Sequence, residues 1–220
     1  MFSPNLDETS AAGFFITGTD TEIGKSFVAC CIAQGLVKQG IAVSPRKPVA
    51  SGCMLQADGS LLSEDALQLQ AASQTSEPLA RICPYRFEAA ISPARAIAQS
   101  GQTININALY QACQVEADQF ALVEGAGGFL SPLASDGLNA DLALKLNYPL
   151  ILVVGNRLGC LNHALLTIEA IEQRQLKLHA VILNDISPQA DLDNFNDLQQ
   201  LCHYPVIHQR YQTQPSPLLV

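Results

Sequence analysis

Short, continuously apolar runs recur along this chain, and between them lie longer stretches in which apolar residues return every three or four positions. The runs are Phe14 to Thr17, Ile41 to Ser44, Phe120 to Val123, Leu150 to Val154 and Ala180 to Leu183. Apolar runs this short, bounded by turn residues, predict strands buried on both faces. The stretches Phe27 to Lys38, Ser63 to Ala72, Ile104 to Ala117 and Asn162 to Arg174 carry the spacing of helices packed on a sheet. Gly40 stops the first helix; Ser63 is an N-cap with acidic Glu64 and Asp65 in the turn that follows. From Gln70 to Gln102 no period is sustained, which predicts short, irregular pieces. Strands alternating with helices predict an α/β fold, a single domain whose parallel β-sheet has helices on both faces. Such sheets bind ligands beyond the carboxyl ends of their strands, where the polar clusters of this chain also fall.

Composition narrows the class. The 220 residues are 48% hydrophobic and 15% charged, enough for one substantial core. No apolar run approaches the roughly 20 residues of a membrane span. Met1 to Ala12 is polar, holds Asp7 and Glu8, and reads as a short N-terminal extension rather than a secretory signal, leaving 13–220 as the domain. Seven cysteines, an odd count with no C-x-x-C pair, argue against a disulfide framework or a structural zinc site and for a cytoplasmic protein. A net charge of −8 argues against nucleic acid as the main partner. Anionic ligands must then be met by local cations, of which Lys25 and Lys47 are the best placed.

Gly18-Thr19-Asp20-Thr21-Glu22-Ile23-Gly24-Lys25-Ser26 joins the first strand to the first helix. A glycine-bounded loop ending in Lys-Ser at a helix N-terminus has the chemistry of a phosphate cradle. Freed N–H groups and the helix dipole meet phosphate oxygens, the ammonium reaches the terminal phosphates, and the hydroxyl ligates magnesium. The loop has one residue more than the usual pattern. An ordinary turn with a surface lysine is the bland alternative. Thr19 to Thr21 stand where partition-type ATPases carry a second lysine, which disfavours that subclass.

Four other clusters each allow two readings. Glu124, leading into Gly125-Ala126-Gly127-Gly128, is either a Walker B-type carboxylate reaching the magnesium of Ser26 or a solvated turn residue. Asp65 is either a further metal ligand or a helix-dipole partner. Lys47, in the loop Arg46-Lys47-Pro48-Val49-Ala50-Ser51-Gly52, is either an exposed lysine or a second ammonium offsetting charge on a transferred phosphoryl group. The Gly159-Cys160-Leu161-Asn162-His163 turn either binds a carboxylate through its N–H groups or simply caps a helix. His163 has no obvious partner in sequence and reads as structural.

Thr17 to Ser26, Lys47 to Gly52, Val123 to Gly128 and Leu158 to Thr167 together resemble the dethiobiotin synthetase family, in the same order. The family's phosphate loop has the same extra residue. The resemblance implies a P-loop NTPase-like fold and an ATP-dependent ring closure, in which CO2 and 7,8-diaminopelargonic acid become dethiobiotin, ADP and phosphate. A carbamate forms on one amine, ATP phosphorylates it, and the second amine expels phosphate. By the same resemblance Lys25, Lys47 and Thr21 are catalytic, and Thr21, Ser51, Gly159, Cys160 and Asn162 touch substrate. Ser26, Asp65 and Glu124 would hold Mg2+. Glu22, Ile23, Gly24, Lys25, Ser26 and Phe27 would line the triphosphate, flanked by Asp65, Glu124, Gly125, Ala126 and Gly127, with Asn184 and Asp185 at the adenine. The family is a homodimer in which the helix start near Gly159 reaches the substrate carboxylate across the interface.

Two departures stand out. Ser26 replaces a frequent threonine but supplies the same oxygen. Tyr204 to Tyr211 replaces the family's nucleotide loop, which opens the question of nucleotide selectivity, although the Asn-Lys-x-Asp guanine signature is missing at Asn184 to Ser187. A nucleotide-switched ATPase regulating protein association is the alternative function; such a switch has no need of a second crevice lysine beside a substrate serine.

Overall fold

The computed structural model describes residues 13–220, so the extension expected at Met1 to Ala12 lies outside the described residues. Strand β1 (Gly13–Gly18) leads through the phosphate loop into α1 (Lys25–Lys38), then β2 (Val43–Arg46) and the short strands β3 (Val49–Ala50), β4 (Met54–Leu55) and β5 (Leu61–Leu62). Helices α2 (Glu64–Ala72) and α3 (Leu79–Ile82), strand β6 (Tyr85–Arg86), and helices α4 (Pro93–Gln99) and α5 (Ile106–Ala112) follow. The second half holds β7 (Phe120–Glu124), the hairpin β8 (Pro132–Ala134) and β9 (Gly137–Leu138), then α6 (Asn139–Leu146) and β10 (Leu150–Asn156). It ends with α7 (Cys160–Glu172), β11 (Leu178–Asp185), α8 (Asp193–Leu201) and β12 (Val206–Gln209).

Six strands form one parallel sheet in the order β12-β11-β10-β1-β7-β2. Alternate residues of each strand enter opposite layers. Phe15, Val123, Leu150 and Leu152 pack with Ile97, Leu109, Leu142 and Ile168, whereas Ile16, Leu122, Ile151 and Val153 pack with Val28 and Ile32 of α1 and Leu69 of α2. This is why the strands read as unbroken apolar runs: both faces are covered, and each buried aliphatic side chain contributes about 1.5–3 kcal/mol. The expected α/β architecture is the observed one. Because all six strands run the same way, their carboxyl ends share one edge.

Several boundaries differ from expectation for identifiable reasons. The second strand begins at Val43 rather than Ile41, because Ile41 still closes α1: its N–H donates to Leu36 O at 3.1 Å while Gly40 N–H donates to Val37 O at 2.9 Å. The helix expected over Ile104 to Ala117 spans only Ile106–Ala112. Asn105 caps its start, and the Arg81 guanidinium takes the carbonyl of Ala112 at 2.9 Å. The stretch Arg46 to Gly52 is not plain loop either, since Arg46 ends β2 and Val49–Ala50 pairs with Tyr85–Arg86. Most unexpectedly, the divergent C-terminal stretch supplies β12, the sixth strand, paired with β11.

Candidate active site

The phosphate loop is shaped by close approaches that only small residues permit. Gly24 caps α1 at φ +83°, and a Cβ there would stand 2.3 Å from Asn184 Nδ2. Ile23 is buried between two glycines; an added Cβ would lie 2.7 Å from Ile23 Cδ1 at Gly18 and 2.8 Å from Ile23 Cγ2 at Gly155. Glu22 is held at φ 56°, a conformation that costs a non-glycine residue about 1–2 kcal/mol and recurs at ligand clamps. No side chain among the described residues caps the N-terminus of α1, which leaves its first N–H groups for an anion.

Two buried ammonium groups stand near this loop. Lys25 Nζ donates to Asp20 O at 2.6 Å. Burial pushes its pKa down from the ordinary 10.5 to about 8, against the pull of the Glu124 carboxylate. Asp20 itself is gripped by Arg157 Nη2 at 2.6 Å and accepts from its neighbour Thr21 N–H at 2.8 Å. Lys47, immediately after β2, lies 2.7 Å from Glu124 Oε1 and 2.6 Å from Asp65 Oδ2. Burial opposes its charge, but the two carboxylates outweigh that effect and raise its pKa above the ordinary value. Burial likewise works against ionisation of Asp65, and the charge and hydrogen bond of Lys47, with Ser26, reverse the balance and lower its pKa.

Glu124 is the centre of the cluster. It is 1% exposed, and its Oε1 accepts from both Lys47 Nζ and Ser26 Oγ, each at 2.7 Å, while Oε2 is buried with no hydrogen-bond partner among the described residues. Neither Lys47 nor Glu124 is therefore the solvated residue that a bland reading allows. An unpartnered buried oxygen costs about 1–3 kcal/mol, more when charged. Its neighbours Ser26 and Asp65 add a hydroxyl and a second carboxylate, a donor set that fits a hard cation. Among the described residues no three His, Cys, Asp or Glu side chains form a metal cage. Two carboxylates and a hydroxyl suit Mg2+, which keeps waters and substrate phosphates among its ligands.

These groups face a crevice of about 680 Å³. Of the residues expected at the site, Thr21, Glu22, Gly24, Lys25, Ser26, Phe27, Lys47, Ser51, Asp65, Glu124, Ala126 and Gly127 all line it. Ile23 and Gly125 lie behind the lining, Gly125 donating its N–H to Ile16 O at 3.0 Å. Others are not brought to the crevice. Gly159 caps α7 at φ +87° and is exposed like Asn162, while Cys160 is buried. Asn184 is buried and donates Nδ2 to Ile23 O at 2.9 Å, and the Asp185 carboxylate is engaged by His208 and Asn156.

The structure also adds residues with no local signal in sequence. Gln68, Ile91, Ser92, Pro93 and Ser131 line the crevice. Asn139, buried at the start of α6, folds the glycine loop after Glu124: its Oδ1 accepts from Ala126 N–H at 3.1 Å, and its Nδ2 donates to Gly128 O at 3.0 Å and to Ala126 O. A single asparagine beside Leu138 and Ala140 reads in sequence as an ordinary helix start. All seven cysteines are buried and free.

Comparison with known proteins places this arrangement among relatives. A family model described as an AAA domain matches residues 12–209. The chain is 45% identical over 183 residues, 82% of its length and 80% of the relative's, to the ATP-dependent dethiobiotin synthetase of Aromatoleum aromaticum. It is 46% identical over 163 residues to the protein of that name from Idiomarina loihiensis, covering 73% of each chain. To the one from Ruthia magnifica it is 39% identical over 176 residues, 80% of this chain and 81% of the relative.

Proposed function

This chain belongs to the ATP-dependent dethiobiotin synthetase family, and from that premise we propose that the crevice closes the ureido ring of dethiobiotin with the residues just described. The enzyme is a ligase of biotin biosynthesis that converts 7,8-diaminopelargonic acid, CO2 and ATP into dethiobiotin, ADP and phosphate. What supports the residue roles is one convergence: Lys47 is paired with the carboxylates Glu124 and Asp65 beside a phosphate loop that carries a second buried ammonium, Lys25.

One substrate amine adds to CO2 and loses a proton, giving a carbamate. Its oxygen attacks the γ-phosphorus of ATP, ADP leaves, and the carbamate carbon now carries a phosphate leaving group. The second amine attacks that carbon; a C–N bond forms, the C–O bond to phosphate breaks, and the ring closes. Little covalent work falls to the protein, so positioning and charge compensation carry the rate. Lys25 exchanges the Asp20 carbonyl for phosphate oxygens, alongside the free N–H groups of the loop from Glu22 to Phe27. Lys47, held charged by its carboxylates, offsets negative charge on the carbamate and on the phosphoryl group in transfer. Thr21 and Ser51 hold the carbamate and diamine, while Gly125 to Gly127 flank the nucleotide and Asn184 and Asp185 stand toward its base. Ser26, Asp65 and Glu124 would hold Mg2+, which would neutralise phosphate charge when bound.

The Gly159 to Asn162 turn lies outside the crevice of its own chain, which supports for it the role, at the substrate carboxylate of a second copy in a homodimer, that the family resemblance implies. Leu158 beside it is fully exposed, as a residue that such a contact would cover. No helix among the described residues is long and apolar enough to cross a membrane. Seven reduced thiols fit the cytoplasm.

The test is product formation from purified protein, diaminopelargonate, 18O-labelled bicarbonate, magnesium and ATP, followed by mass spectrometry. Dethiobiotin appears together with ADP, and the released phosphate carries label from the carbamate oxygen. Unlabelled phosphate from a dethiobiotin-forming reaction rules out the anhydride, and ATP hydrolysis without dethiobiotin favours a nucleotide switch.

A further inference from the structure

Behind the phosphate loop lies a buried polar network of which the chemistry above names only Asp185. At the carboxyl ends of β10, β11 and β12, His208 Nε2 stands 2.9 and 3.0 Å from the two oxygens of Asp185, with the imidazole stacked on Phe195 at 5.1 Å between ring centroids. Asp185 Oδ1 also accepts from Asn156 Nδ2 at 2.7 Å. Asn156 in turn donates to Asp191 O and accepts from Asn194 Nδ2, each at 2.8 Å. Asn156 and Asp185 are buried, and the His208 side chain is only 13% exposed. Apolar side chains could fill this space without the desolvation that ionic groups suffer, so the network is best explained by what it holds in place.

What it holds is the chain at Asn184. That residue immediately precedes Asp185 and is registered between Gly155 of β10 and Gln209 of β12. Its amide is committed on one side, Nδ2 donating to the Ile23 carbonyl of the phosphate loop at 2.9 Å. The amide oxygen is left as the acceptor. Adenine offers an exocyclic amine to such an oxygen, whereas guanine presents a carbonyl oxygen at the same place and would be repelled.

We propose that His208 is a positioning residue for nucleotide selection: by holding Asp185 it fixes the Asn184 amide, and with it the preference for adenine over guanine. This deepens the reading above and rests on it, since it takes Asn184 to face the base. It also gives a role to the divergent C-terminal segment, in which base recognition is supported from a strand.

The experiment measures kcat/KM for dethiobiotin formation with ATP and with GTP in the full-length protein and in His208→Leu, His208→Gln and Asn184→Ala. The ATP/GTP ratio falls about tenfold in His208→Leu, the worth of one well-placed hydrogen bond, and the change lies in KM rather than kcat. His208→Gln keeps an N–H donor for Asp185 and retains most of the ratio. If Asn184→Ala lowers the ratio and His208→Leu does not, the inference is overturned while Asn184 keeps its role. If neither variant moves the ratio, the placement of Asn184 at the base fails as well. Should leucine at this position yield no soluble protein, His208→Asn, too short to reach both carboxylate oxygens, takes its place: a lowered ratio supports the inference and an unchanged one overturns it.

Discussion

Replacing Lys47 by methionine keeps most of the side-chain volume and removes one buried positive charge. The cost falls unevenly on its two partners. The Asp65 side chain is 44% exposed and recovers water, whereas Glu124, at 1%, is left in the interior with only the Ser26 hydroxyl. Removing one member of a buried ion pair destabilises by about 3–5 kcal/mol, and the retained Ser26 bond puts the expected loss toward the lower end. For a chain of this size that corresponds to a fall in melting temperature of about 6–20 °C. Adding Glu124→Gln removes the stranded charge, so the double variant regains most of the stability, because deleting both partners is cheaper than deleting one. Activity does not follow stability. Losing a preorganised group that meets developing charge lowers kcat by about 10²–10³, and the double variant stays inactive because it also lacks a proposed Mg2+ ligand. Thermal denaturation, dethiobiotin formation and calorimetric ATP binding on the three proteins make the comparison. A Lys47→Met enzyme with native turnover would remove Lys47 from the mechanism. A double variant that regains turnover would reduce Lys47 to a counter-ion of Glu124.

Three further outcomes are expected. Lys25, with its pKa lowered to about 8, is charged below that value, so ATP affinity is highest there and falls by up to about tenfold per unit as pH rises past it. The buried charge also means that folding stability rises with pH between the folded value and the ordinary 10.5; calorimetric affinities that stay flat to about pH 9.5 would contradict the assignment. Gly24→Ala forces a side chain into a left-handed position and against Asn184 Nδ2, so ATP binding weakens about tenfold or more in a protein with native circular dichroism. Equal binding would mean that the loop does not need this close approach. Sedimentation yields twice the 23.5 kDa chain mass, and Leu158→Asp shifts the protein toward monomer while raising KM for the diamine; a monomer with full activity would end the shared-site reading.

The legible parts of this protein are those whose signals are local. The runs at Phe14, Phe120 and Leu150 predict buried strands because each apolar residue meets a covered face, whichever way it points. Ser63 declares its helix because the capping bond to Ala66 N–H spans only three residues. Boundaries are less legible where two elements compete for one residue, as when Ile41 closes α1 instead of opening β2. The half-exposed α8 and the edge strand β12 carry weaker patterns, and they become ordered elements by packing against α7 and β11.

By itself the sequence determined the alternation of strands and helices, the phosphate loop, and the set of side chains able to handle a nucleotide. It could not decide whether Glu124 was a ligand or a turn residue, whether Lys47 was solvated, or whether Asp65 did more than stabilise a helix. The tertiary structure buries Glu124 and Lys47 and pairs Asp65 with Lys47, by inserting β7 between β1 and β2 and so bringing Glu124 to Ser26, 98 positions away, and to Lys47, 77 positions away. Periodicity reports how a residue relates to its own turn or strand. The state of a charge depends on which carboxylates and how little water surround it, and those are properties of strand order.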